Sequence, residues 1–139
     1  MEEIKWYEMY ENTGYDKTLK ISCLEGYTIK EIIGLESESD VVILRMESGE
    51  EFCFLHKQDC CEDVRLIDYE LSSHNLLGGT IISAEERTSE AEEGVDVHEC
   101  GTYTFYNIQT TKGILDMRWL GESNGYYSES VDIFKRPEV

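Results

Sequence analysis

The sequence predicts a mainly β domain of about seven or eight antiparallel strands with one or two short helices. Short runs of alternating apolar residues recur along its 139 residues, and glycine-containing turns separate them. Eleven glycines and one proline suit a chain of many turns. The length suits a single core, so we expect one domain over residues 1–139, built as a single antiparallel sheet or half-barrel.

The elements of the first half follow from these patterns. A first strand or strap over the core is expected at residues 4–10, and residues 16–24 fit either a short helix or a strand. Glu47-Ser48-Gly49-Glu50 has the composition of a hairpin turn. Around it, strands are predicted at residues 29–35, 41–46, 51–55 and 64–67, with Val64 and Leu66 on one face.

The second half begins with a predicted short helix over residues 70–77, ended by Gly78 and Gly79. Strands are then predicted at residues 80–86, 102–109, 114–119 and 127–134. Thr110 to Gly113 forms the turn of a second hairpin.

Three short matches indicate an internal duplication with halves at residues 19–69 and 70–136. Leu24-x-Gly26-x-Thr28-Ile29 recurs 52 residues later as Leu76-x-Gly78-x-Thr80-Ile81. The turn at Ser48-Gly49 recurs 64 residues later at Lys112-Gly113, and Glu62-x-Val64-x-Leu66 recurs 67 residues later as Glu129-x-Val131-x-Ile133. Short matches also arise by chance. If the duplication is real, the corner at residues 58–61 is the counterpart of residues 124–128, and the two corners could meet around one cleft.

The formal net charge of −18 limits the expected partners. A field of this sign repels nucleic acid and acidic membranes and attracts basic protein surfaces. No apolar run reaches the length of a membrane span, and the start Met1-Glu2-Glu3 is unlike a secretory signal, so we expect a cytoplasmic protein. The five cysteines are then reduced thiols. Simple solubility is the alternative explanation of the charge.

Residues 85–99 hold seven acids and one arginine without periodicity, so we expect a solvated, mobile loop. We expect the acidic surface to contain Glu85, Glu86, Glu90, Glu92, Glu93 and Asp96.

Reactive and polar side chains are concentrated just after the strand at 51–55. The candidates in this first corner are His56, Gln58, Asp59, Cys60, Cys61 and Glu62. One interpretation is a polar turn in which Asp59 caps backbone amides. A zinc site would need His98 and Cys100 as a second pair of ligands. A thiol nucleophile, with His56 as base, would need Asp59 or Asn124 to orient the imidazole.

A second group of candidates, the second corner, lies at the end of the strand at 114–119 and in the residues after it. It consists of Arg118, Trp119, Asn124, Tyr126 and Tyr127. Arginine and aromatic side chains bind planar ligands and protein partners, and they also cover small β cores. Arg118 and Trp119 alternate on a strand, so at most one of them faces a given cleft.

Two motifs carry a resemblance to a known family. H-x-Q-D-C-C-E-x-V spans residues 56–64, and R-W-x-G-x-S-N-G-Y-Y-S-E-x-V spans residues 118–131, with a G-x-x-I segment at Gly78 between them. Over residues 24–134 the chain resembles a family of small proteins from phages and prophages of Gram-positive bacteria, defined as a domain of unknown function. Residues 1–20 and the pair His98 and Cys100 lie outside the motifs.

The resemblance implies an accessory phage protein that acts in the host cytoplasm. We expect a non-enzymatic inhibitor of a host defence system, such as a CRISPR effector, that binds a basic nucleic-acid-binding surface through its acids. One alternative is a protein that sequesters a small ligand or nucleotide signal between the two corners. Another is an enzyme that uses Cys60 or Cys61.

We expect the first corner to be held by hydrogen bonds without a metal ion or other cofactor, because no second spaced pair of ligands accompanies it. Untagged protein purified without chelator should contain well under one zinc ion per chain in elemental analysis. Stoichiometric zinc with thiolate ligands would contradict this expectation.

Overall fold

The computed structural model describes residues 19–58, 60–92, 94, 97 and 99–136. The strand expected at 4–10 lies outside the described residues. So do Asp59, Glu93, Asp96 and His98.

In the described residues, eight strands confirm the predicted mainly β class, and a 3-10 turn at Ile21–Leu24 precedes them. No helix in the described part of the chain is long and apolar enough to cross a membrane. The strands are β1 (Ile29–Ile33), β2 (Val41–Met46), β3 (Glu51–Leu55), β4 (Asp63–Leu71), β5 (Ile81–Ala91), β6 (Cys100–Thr110), β7 (Gly113–Ser123) and β8 (Asp132–Arg136).

The strands form two antiparallel four-stranded sheets, where a single sheet or half-barrel was expected. Their orders are β1-β2-β3-β8 and β4-β7-β6-β5. β1, β2 and β3 are consecutive neighbours, as are β5, β6 and β7. The fourth strand of each sheet joins the two groups of three. β4 directly follows β1 to β3 in the chain but pairs with β7, and β8 follows β5 to β7 but pairs with β3. The chain therefore crosses between the sheets at residues 56–62 and again at residues 124–131.

The main core lies between the sheets. Phe52 and Phe54 of β3 share one buried cluster with Tyr106, Met117 and Trp119 of the other sheet. The rings of Phe54 and Tyr106 meet edge to face, with centroids 5.1 Å apart. Alternation on the strands supplies these inward positions, since neighbouring residues point to opposite faces. Val64 and Leu66, which were predicted to share one face of a strand, both belong to this buried cluster.

The two segments of the longest sequence match, residues 24–29 and 76–81, pair with each other. Thr28 and Thr80 form an antiparallel bridge, and their hydroxyl oxygens are 2.8 Å apart. The Gly26 amide donates to the Ile81 carbonyl, and the Gly78 amide donates to the Ile29 carbonyl in the same way. Each hydrogen bond thus has a counterpart shifted by the 52 residues that separate the matches, as expected for an approximate two-fold axis at the bridge.

The helix predicted over residues 70–77 is wrong. Glu70 and Leu71 extend β4, where they pair with Asp116 and Leu115 of β7. Pairing with a neighbouring strand has overridden a weak local helical pattern. The following residues bend into a turn closed by a hydrogen bond from the Gly79 amide to the Leu76 carbonyl.

The loop predicted over residues 85–99 is also wrong up to Ala91, because β5 continues to that residue. Its acids pair in register with β6, for example Glu85 with Asn107 and Glu90 with Thr102. All six side chains from Glu85 to Glu90 are exposed, so the strand forms without burying its charges. Aperiodic charge on an edge strand is therefore compatible with strand structure.

Truncation of Phe54 should test the packing between the sheets. Phe54→Ala should lower the free energy of unfolding by about 3–5 kcal/mol, because it leaves a cavity against Tyr106. Urea denaturation followed by tryptophan fluorescence measures the change. Ile82 is 63% exposed, so the control Ile82→Ala should change stability by less than about 0.5 kcal/mol. Equal effects of the two variants would contradict the assigned core.

Candidate functional site at the first corner

The first corner links β3 to β4, where the chain passes from one sheet to the other. β3 is buried along most of its length and ends at Leu55. His56 and Glu62 stand at the two ends of the corner, and both are buried. The exposed residues between them include Gln58, Cys60 and Cys61.

A buried hydrogen-bonded pair closes the base of the corner. His56 Nε2 lies 2.9 Å from Glu62 Oε2, and His56 Nδ1 lies 2.7 Å from the carbonyl oxygen of Ser130. The side chains of His56 and Glu62 are 3% and 0% exposed. Their contact is therefore shielded from water.

The partners of His56 determine where its protons lie. A carbonyl oxygen only accepts, so Nδ1 must donate to Ser130. The contact between Nε2 and Glu62 then needs one further proton, carried by the imidazole or by the carboxyl group. In either case the pair is neutral as a unit, which makes its burial tolerable.

Glu62 also organises the exposed part of the corner. Its Oε1 accepts the Cys60 amide at 2.7 Å and Gln58 Nε2 at 3.1 Å. Gln58 Nε2 also donates to the carbonyls of Cys60 and Glu62. Backbone capping of this kind was predicted for Asp59, and in the described residues Glu62 supplies it.

The two thiols lie on the outside of this scaffold. Cys60 and Cys61 are both exposed and unbridged, with their sulfur atoms 3.1 Å apart. The hydrogen-bonding contact with Cys60 raises the pKa of the Cys61 thiol, and partial desolvation adds to this shift. Cys61 is therefore a thiol rather than a thiolate at neutral pH.

These contacts bear on the chemical interpretations of the corner. Both ring nitrogens of His56 already have partners, so its imidazole serves the scaffold in this arrangement. Among the described residues, no group of three or more His, Cys, Asp and Glu side chains is arranged to hold a metal ion. The geometry favours a hydrogen-bonded polar turn that presents two thiols.

The second group of candidates divides between three environments. Trp119 is fully buried in the core, whereas Arg118 points to the opposite face of β7, as their alternation predicted. The Arg118 guanidinium lies 5.5 Å from the centroid of the Tyr103 ring and 3.5 Å from Asp68. Asn124 Oδ1 accepts the amide of Tyr126, whose side chain is exposed and meets the Tyr127 ring edge to face.

Three residues at or next to the second crossover were not among the sequence candidates, and two of them contact the first corner. Ser130 accepts the hydrogen bond of His56, and Asp132 accepts the Lys57 amide at 3.0 Å. Glu129 accepts hydrogen bonds from the hydroxyls of Thr102 and Ser123. The match between Glu62 and Glu129 was a signal for the last of these, because both glutamates organise a crossover.

A double-mutant cycle should measure the buried pair. His56→Ala and Glu62→Ala should each lower the free energy of unfolding by about 3–5 kcal/mol, because each leaves a buried partner without its counterpart. The double variant should cost clearly less than the sum of the two single costs. Urea denaturation provides the three values, and simple additivity would contradict the coupling.

Comparisons with known proteins place this site in a family. No curated protein and no solved structure matches the chain. A family model described as a domain of unknown function, DUF7448, matches residues 23–133. That range includes both corners, all of β1 to β7 and the first two residues of β8. The chain therefore belongs to the DUF7448 family.

Proposed function

We propose that this protein is a non-enzymatic inhibitor that binds a basic protein surface through an acidic edge. The acidic edge consists of Glu85, Glu86 and Glu90 on β5 together with Glu92, which follows that strand. The observation that carries the proposal is the position of these acids on an edge strand with six consecutive exposed residues.

The backbone of β5 supports a binding role. β5 pairs with β6 on one side, and near its start the Ala84 amide donates to Glu25 on the other side. Amides alternate in direction along a strand, so those of Glu86, Thr88 and Glu90 face the same side as Ala84. Within the described part of the chain these three amides have no hydrogen-bond partner on that side. An extended segment of a partner can add to such an edge as a further strand.

Charge selects the kind of segment that can bind there. Like charges opposed across strands are destabilising, so an acidic edge discourages addition of a second copy of this chain. A segment rich in lysine and arginine would instead be attracted. The net charge of −18 strengthens this attraction. The attraction acts over about a Debye length, roughly 8 Å at physiological salt.

The alternative of a nucleotide-binding pocket has weaker support. A groove of about 510 Å³ on the outer face of the β4-β7-β6-β5 sheet contains Arg87 and Arg118. Its lining residues also include five acids, namely Asp68, Glu70, Glu85, Glu86 and Asp116. The groove is therefore net negative and would repel a phosphate group.

The resemblance to phage proteins extends the proposal to the identity of the partner. Proteins that hold DNA or RNA do so with basic grooves. An acidic edge on a phage protein has the charge to compete for such a groove in a host defence protein, such as a CRISPR effector. The protein would then act in the bacterial cytoplasm, without binding nucleic acid itself.

Charge reversal on the acidic edge should abolish inhibition. The variant Glu85→Lys, Glu90→Lys and Glu92→Lys leaves Glu86 intact, because Glu86 accepts the buried Tyr106 hydroxyl at 2.8 Å. We expect at least about a tenfold weaker complex with the partner, or about 1.4 kcal/mol of binding free energy, and a matching loss of phage protection. Protection is measured as plating efficiency on a host that carries a CRISPR system and expresses each variant.

A matched control separates the acidic edge from net charge alone. Glu36→Lys, Asp40→Lys and Glu47→Lys change exposed acids elsewhere, and both triple variants change the formal charge from −18 to −12. The control and Cys60→Ser should protect like the parent protein. In a separate binding measurement, the purified complex of the parent protein with its partner should weaken as salt rises. If the edge variant protects fully and Cys60→Ser does not, the acidic-edge proposal fails in favour of a function at the corner.

A further inference from the structure

We propose that Cys60 and Cys61 form a dithiol site for a pyramidal, trivalent thiophilic acceptor such as trivalent arsenic. Both thiols are exposed, and their sulfur atoms are 3.1 Å apart. The acidic edge does not use them, so this site is independent of the proposed inhibitory function.

The convergence of the two thiols is a property of the folded corner. In an extended chain neighbouring side chains point to opposite faces, which would separate adjacent sulfur atoms. Here the chain bends at Cys60 and Cys61, and both side chains emerge on the same side. The Cys60 amide is held by Glu62 Oε1 at 2.7 Å, and its carbonyl accepts Gln58 Nε2 at 3.1 Å. These bonds hold the backbone of Cys60 in the conformation that brings the sulfurs together.

The distance between the sulfurs selects the geometry of the acceptor. With bonds of about 2.3 Å, two sulfurs lie about 3.8 Å apart at a tetrahedral centre and about 3.3 Å apart at a right-angled one. The observed 3.1 Å is close to the right-angled value. A pyramidal acceptor with bond angles near 90° therefore fits with little movement, whereas a linear or tetrahedral ion would force the thiols apart.

The number of available thiolate ligands also favours a trivalent acceptor. A structural zinc ion takes four protein ligands. A trivalent arsenic atom that carries one organic group needs only two thiolates. With phenylarsine oxide, two S–H bonds break and two As–S bonds form, the oxygen leaves as water, and no atom changes oxidation state.

Titration with phenylarsine oxide tests the site. Folded full-length protein should gain one phenylarsenic group per chain by intact mass spectrometry and lose two free thiols. Cys60→Ser and Cys61→Ser should each weaken binding by at least about 100-fold, because chelation is lost. Cys100→Ser removes an exposed cysteine elsewhere and should bind like the parent protein. Circular dichroism verifies that each variant is folded, and adducts that persist in Cys60→Ser would overturn the assignment.

A peptide control distinguishes a site formed by the fold from two thiols that are merely adjacent. The peptide His-Lys-Gln-Asp-Cys-Cys-Glu contains the same thiols without the contacts from Ser130 and the rest of the scaffold. The protein should bind the probe at least about tenfold more tightly than the peptide, because its thiols are already ordered. Gln58→Ala should reduce this advantage. Equal affinities for the protein and the peptide would refute the proposal.

Discussion

Each sheet of this protein is completed by a strand from the other half of the chain, and the rest of the structure depends on this exchange. β4 leaves the first three strands to pair with β7, and β8 returns from the second three to pair with β3. The group β1 to β3 thus receives its outer strand from the second half of the chain, and the group β5 to β7 receives its outer strand from the first half. Each group also packs its apolar face against the other. Most of the stabilising contacts join distant parts of the sequence, which predicts slow, cooperative folding.

The exchange explains why polar groups are concentrated at the crossovers. A chain that passes between sheets leaves the strand ladders, so its backbone groups need other partners. Glu62 supplies them at the first crossover, and Glu129 accepts two hydroxyls at the second. The bond from His56 to Ser130 joins the two crossovers. The corner is therefore primarily a structural junction, and its thiols are the part that remains available for chemistry.

Placement of charge makes so acidic a sequence compatible with a folded core. Several arginines are already engaged by acids, since Arg45 bonds to Glu31 and Glu51, and Arg65 lies against Glu38. The acids of β5 are instead exposed along a sheet edge, where water screens their repulsion. The exposed acids repel the same edge of a second copy of this chain, so they oppose edge-to-edge pairing. They attract a basic segment.

The sequence by itself determined the β class, the hairpins at Ser48-Gly49 and Lys112-Gly113, and the shared face of Val64 and Leu66 on β4, because alternation and turn composition are local signals. It also located the polar corner through His56 and Cys60. Only the tertiary structure decided that residues 70–71 and 85–91 are strand, since their form depends on pairing with β7 and β6. It likewise decided that Ser130 meets His56 and that two adjacent thiols converge. Those contacts join residues far apart in the chain, or depend on a backbone bend that such contacts impose, and no local pattern encodes them.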